Sequence, residues 1–246
     1  MKQRLASLSI SLASVVIIAS SFQSRSALGL VVEACKINVA ITGSPYPCMK
    51  VVQDKDPMSS YAVLREPANK ERTILAPLAD VSGIEDPRLL TVGAPNYFED
   101  AWNERSAAIS FRAMGVPPQD FALAINAASW RTQDRLHVHI GCSTPRFRTL
   151  LKSHKTEIGG SKFTKLKDSG WWAKFYAADN LSKLNPLKAV ADGVDGALSN
   201  MKNVVIGVFA STLPDDQQGF YILARLIGAS KSRGSAEDMI DPSCQF

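Results

Sequence analysis

Two of the three histidines in this chain, His137 and His139, stand two residues apart in the run Leu136-His-Val-His-Ile-Gly-Cys142. The alternation predicts a strand, in which residues i and i+2 share a face. Both imidazoles then project together, while Leu136, Val138 and Ile140 project into a core. Such a pair suits metal ligation, phosphoryl or nucleotidyl transfer, general acid–base work, or a satisfied structural contact. A zinc site asks for further protein ligands or an open water position. Here only Asp134 is near in sequence, and His154 is remote. An imidazole nitrogen is a competent nucleophile near neutral pH, and charge developing on phosphorus-bound oxygens needs donors nearby. The preceding turn offers Asn126, Ser129, Arg131, Thr132 and Gln133. That density favours phosphoryl chemistry, with no metal expected.

The elements that must position these residues follow from pattern and punctuation. Tyr61–Leu64 and Thr73–Leu78 are predicted strands. A helix is predicted over Asn96–Met114, ended by Gly115-Val-Pro-Pro118, with Phe98 and Trp102 as core residues. Phe121–Ala127 and Arg135–Cys142 are predicted strands joined by the donor-rich turn. Pro145 opens a helix through Ser153. Further on, Trp171–Ala178 is predicted helical, Asn203–Ala210 and Gly219–Leu226 strands, and Ser235–Ile240 a short helix. Strands and helices do not alternate regularly, so the fold class is α+β with a mostly antiparallel sheet flanked by helices.

The N-terminus reads as a targeting segment. Lys2 and Arg4 precede the apolar or small run Leu5–Ser21, and the first acidic residue is Glu33. Residues 1–27 are therefore expected to form an export signal or a single membrane anchor, with one catalytic domain over 28–246. Export to a periplasmic setting agrees with the cysteines, which are four in number: Cys35, Cys48, Cys142 and Cys244. Four cysteines allow three connectivities. The preferred pairing is Cys35–Cys48 with Cys142–Cys244, which ties the C-terminus to the histidine strand. The net charge of +5 includes Lys2, Arg4 and Arg25, so the remainder is near neutral and no nucleic-acid partner is expected. Residues 143–190 are locally basic, with ten basic against three acidic residues. That stretch suits an anionic bilayer surface or phosphates, or else a solvated face.

The set Ala124-Ile-Asn126, Arg131-Thr-Gln-Asp134, Leu136-His-Val-His-Ile-Gly-Cys142, Pro95-Asn-Tyr-Phe98 with Ala101-Trp102, and Ser235-Ala-Glu-Asp-Met-Ile240 resembles the histidine-triad superfamily. Within it, the chain is similar to the CDP-diacylglycerol pyrophosphatase family. The resemblance implies a histidine-triad-like fold and hydrolysis of a liponucleotide, CDP-diacylglycerol, to CMP and phosphatidate through a nucleotidyl-histidine. No metal or organic cofactor is implied. The superfamily row has three histidines at alternate positions with the central one as nucleophile, and this chain has two. If Gly141 is the missing member, His139 attacks; if Arg135 is, His137 attacks. The spacing of Asn126 and Gln133, eleven and four residues before His137, favours His139. The other register stays open because Arg135 shares the face. Asn126 and Gln133 are expected to bind ribose or phosphate, Arg131 and Arg135 to clamp phosphate, and Ser129 and Thr132 to add weaker contacts. The alternatives are a hydrolase of a soluble dinucleotide or nucleotide-sugar, and a secreted metal- or ligand-binding module built on His137 and His139. Oligomeric state is not legible.

Overall fold

Ten short runs rich in Val, Ile, Leu, Phe and Ala pair edge to edge into one antiparallel sheet in the computed structural model. It describes residues 25–65, 73–108, 115–159, 161–212, 218–228, 235–241 and 244. The chain starts with helix α1 (Ala27–Thr42), strands β1 (Lys50–Val52), β2 (Tyr61–Arg65) and β3 (Thr73–Pro77), and helix α2 (Tyr97–Asn103). Strands β4 (Phe121–Ile125) and β5 (Val138–Ser143) follow, then helices α3 (Pro145–Ser153) and α4 (Lys155–Ile158). After β6 (Thr164–Lys165), β7 (Trp172–Ala177), α5 (Pro186–Gly193), β8 (Val204–Thr212) and β9 (Gln218–Leu226), the chain closes with α6 (Ala236–Met239) and β10 (Ile240–Asp241). The sheet order is β1-β2-β3-β5-β4-β8-β9-β7-β6. The histidine strand β5 is thus interior, held by β3 on one side and β4 on the other. Beyond the end of β3, β10 pairs with Cys142 and Ser143 of β5.

Both faces of the sheet are covered, which is why its strands carry apolar residues on both sides. On one face Leu136, Val138 and Ile140 join Leu123, Ile125, Val208 and Ile222 under α2 and α5. Trp102 of α2 meets Phe220 and Phe121 edge-on, at 5.0 and 6.4 Å between ring centroids. On the other face α1 lays Leu28, Val32 and Cys35 over Ala62, Leu64, Ile74 and Ala76. Beside it, Phe147 of α3 and Met239 and Ile240 cover Ala122, Ala124 and Phe209. The α+β class and the antiparallel sheet agree with the sequence.

Two expectations change. Trp171–Ala178 is not helical: Trp172–Ala177 forms β7 against β9. Trp172 and Tyr176 pack toward one core and Ala173 and Phe175 toward the other, so apolar residues fall on both faces of the strand, a pattern that a helical reading of a short apolar run mimics. The helix from Asn96 is shorter than expected, with α2 ending at Asn103 and a 3-10 turn over Arg105–Ala108. Asn96 caps its start, and residues 109–114 lie outside the described residues. Nearly all of the expected export or anchor segment, 1–27, is outside them too; α1 begins at Ala27. No helix among the described residues is long and apolar enough to cross a membrane.

The preferred cysteine pairing is present. Cys35–Cys48 ties α1 to the approach to β1, and Cys142–Cys244 ties the C-terminal strap to β5. The sequence separations are 13 and 102. Because loop-closure entropy grows with loop length, Cys142→Ser with Cys244→Ser is expected to cost about 2–4 kcal/mol, and opening Cys35–Cys48 somewhat less. Urea midpoints of the two double variants check the order.

Asp100, half-buried in the first turns of α2, adds a pH term. Burial, and then the carboxylates of Glu99 and Glu104, push it up from 3.8 to about 7. The folded chain therefore keeps a proton that the unfolded chain releases above about pH 4. Stability is full below that pH and declines as pH rises toward 7. Asp100→Asn is expected to remove the decline. It should gain about 2 kcal/mol at pH 8, after allowance for partial exposure, and almost nothing at pH 4. Unfolding in urea at the two pH values tests this.

Candidate active site

His137, one residue ahead of β5, and His139 within it turn their rings to the face opposite Leu136, Val138 and Ile140, with centroids 4.9 Å apart and planes at 72°. The regular strand starts at Val138 rather than at Arg135. Their neighbours on the sheet are small or aliphatic. Ile74 of β3 and Ala124 of β4 pair with His139 on either side. Little of either ring reaches solvent, with 6 % of His137 and 1 % of His139 exposed.

Nδ1 of His137 lies 2.7 Å from the main-chain oxygen of Arg135. A carbonyl only accepts, so Nδ1 carries the hydrogen and the lone pair of the neutral ring resides on Nε2. The backbone thereby fixes both the tautomer and the orientation of His137. His139 faces a carboxylate: its Nε2 is 3.8 Å from Oε1 of Glu237. Glu237 is held in turn by Asn126, whose Nδ2 donates to Oε2 at 2.9 Å. Oδ1 of Asn126 accepts from the Ala236 amide at 2.8 Å. Buried Asn126 therefore joins the end of β4 to α6 and aims Glu237 at the histidines.

The strap formed by α6 and β10 lies close to the sheet because small residues let it. A Cβ on Gly141 would sit 2.5 Å from Ile240 Cγ2 and 3.0 Å from the Asp241 oxygen. A Cβ on Gly207 would sit 2.5 Å from Met239 Sδ. Ser235 and Asp238 form a reciprocal capping box that starts α6. Thr144 binds the strap through its amide to Met239 and its hydroxyl to Asp238. The Cys142–Cys244 bond fastens it covalently. One consequence bears on the histidine row: position 141 is filled by the strap and has no room for a side chain.

The remaining predicted residues are placed differently from what was expected. Gln133 Oε1 accepts from the Leu28 amide at 2.8 Å, at the start of α1. Arg131 lies over Gly83, pairs with Glu85 at 2.6 Å, and reaches Asp134 at 3.2 Å. Asp134 is bound on two oxygens by Arg25, and that contact holds its carboxyl low, at about 2. Arg135 is buried and donates to the Pro77 and Leu78 oxygens. Its Nη1 is 3.8 Å from Asp80. The two arginines expected as phosphate clamps are thus committed to protein groups, and they brace α1 and the loop after β3 against the histidine strand. Ser129 and Thr132 are exposed on the turn. Asn126 does converge on the histidines, through Glu237. Glu237, which residue type and spacing did not single out, lies inside the quoted Ser235–Ile240 motif, and its carboxylate is brought to 3.8 Å from His139. Among the described residues no group of three His, Cys, Asp or Glu side chains is placed to hold a metal ion.

An antiparallel α+β scaffold presents a tautomer-fixed imidazole beside a second imidazole and a carboxylate, an arrangement able to carry nucleophilic and acid–base chemistry. The family model for CDP-diacylglycerol pyrophosphatase matches residues 23–246. The CDP-diacylglycerol pyrophosphatase of Yersinia pestis is 31% identical over 225 residues, covering 88% of this chain and 82% of that protein. The one of Mycobacterium tuberculosis is 30% identical over 234 residues, covering 90% and 84%. The chain belongs to the CDP-diacylglycerol pyrophosphatase family, and it is a hydrolase.

Proposed function

We propose that this protein hydrolyses the pyrophosphate bond of CDP-diacylglycerol, giving CMP and phosphatidate, through a nucleotidyl intermediate on His137 in a histidine-triad-like fold. The observation that carries the assignment is the bond from Nδ1 of His137 to the Arg135 carbonyl. It leaves Nε2 as the nucleophilic nitrogen. Arg135 then stands where the first histidine of the row would be, and His137 takes the role that spacing alone assigned to His139.

In the first step the Nε2 lone pair forms a bond to the phosphorus of the CMP moiety. The bond from that phosphorus to the bridging oxygen breaks, and a proton from the His139 imidazolium passes to the departing phosphatidate. In the second step His139 takes a proton from water as the water oxygen bonds to phosphorus. The N–P bond breaks, its electrons return to His137, and CMP leaves. Glu237 supplies the counter-charge for His139 when it holds the proton. Two disulfides support a location outside the cytosol, with the enzyme at the outer face of the cytoplasmic membrane.

Purified full-length protein is expected to release CMP from CDP-diacylglycerol with a chelator present. Release no greater than that of a His137→Ala, His139→Ala double variant would overturn the assignment.

A further inference from the structure

Helix α1 is apolar on two opposite sides. Leu28, Val32 and Cys35 pack on the sheet. Leu30, Ala34, Ile37 and Ile41, spaced four, three and four residues apart, line the outer side and are exposed. Of these, Leu30 is 54%, Ile37 58% and Ile41 77% exposed. Tyr46 and Met49, on the segment that Cys48 ties to Cys35, are also exposed, at 73% and 43%. An exposed apolar row of this kind, on a helix locked to the core, marks an interaction surface.

We propose that this outer face of α1 docks in the plane of a lipid bilayer, so that the active site takes its substrate from the membrane surface. This rests on the liponucleotide reading of the site. Two further observations identify the occupant. Five residues, 22–26, separate the apolar run Leu5–Ser21 from Ala27, the first residue of α1. A segment of that composition entering a bilayer would leave α1 within about 20 Å of its surface, even fully extended. The site geometry fits as well. α1 lies on the same sheet face as the two histidines, over Ile74, whose strand partner is His139. Its N-terminal turn is bonded to Gln133, and Gly29 lies beside Arg135. A bilayer on the outer side of α1 therefore lies about one helix diameter, ~10 Å, above the histidine rings. At 16 residues, α1 is too short to span, and an in-plane helix with its apolar side in the acyl boundary needs no more.

The test uses the full chain on phosphatidylcholine vesicles that carry a photoreactive diazirine acyl chain. Lipid adducts are expected on the segment holding Leu30, Ile37, Ile41 and Tyr46. They should exceed those at Val92 and Leu198, exposed apolar residues elsewhere, by about tenfold. Equal labelling at all of these sites would overturn the proposal. So would cross-links showing that residues 5–21 cover the outer face of α1 on the vesicle. In the activity arm, Ile37→Ser with Ile41→Ser is expected to raise KM for vesicle-embedded CDP-diacylglycerol about tenfold. It should leave kcat on a short-chain, water-soluble analogue unchanged. An unchanged vesicle KM counts against docking. If the wild-type protein hydrolyses neither substrate, the proposed function fails, and the lipid adducts alone decide the docking surface.

Discussion

His137→Ala is expected to lower CMP release by about four orders of magnitude or more, and His139→Ala by about two to three. The difference follows from the roles. Removing a nucleophile deletes the covalent path, whereas removing an acid–base group forfeits a contribution of about 10²–10⁴. Nδ1 of His137 is bound to the Arg135 carbonyl, so one face of the ring is fixed and Nε2 is the nitrogen that attacks. His139 instead faces Glu237, the environment of a proton carrier. Rapid quench into alkali with CDP-diacylglycerol labelled in the CMP phosphate should trap the label on His137, located by fragmentation of the Leu136–Arg146 peptide. His139→Asn should accumulate this adduct, because its formation is slowed less than water activation. Label on His139 would reverse the assignment.

Much of the site's frame was legible in the sequence because it is local. Alternation over Leu136–Ile140 put both histidines on one face and three aliphatic residues on the other, and the core contains all three. The cysteine pairing was legible only as a preference, because export permits disulfides but four cysteines allow three connectivities. What the sequence concealed depends on contacts between distant segments. Glu237 reaches the histidines only because Asn126, 111 residues earlier, binds it. Arg131 and Arg135 looked like phosphate clamps by residue type. Their actual partners, Glu85 and the Pro77 and Leu78 oxygens, lie 46 to 58 residues away. Gly141 lets the C-terminal strap lie against β5, yet a glycine in a strand does not announce which backbone it must let pass. β7 was misread for a related reason. A strand covered on both faces loses the alternation that distinguishes it from a buried helix.

Glu237→Gln isolates the one charge that these long-range contacts deliver to the site. Glutamine keeps an oxygen for the Asn126 amide, so the α6 strap and its 2.9 Å tether survive while the negative charge is removed. The expected result is a fall in kcat of about 10²-fold with little change in the urea midpoint. The pH profile distinguishes this from a packing effect. With the carboxylate 3.8 Å away, the imidazolium form of His139 has a counter-charge. Without it the ring gives up its proton at lower pH, so the alkaline fall in kcat, where the general acid is lost, should begin at lower pH in the variant. Glu237→Asp should restore part of the rate and move the limb back. If both variants lose rate with the limb unmoved and the urea midpoint lowered, Glu237 serves only to pin the strap, and the proton carried by His139 has no partner in α6.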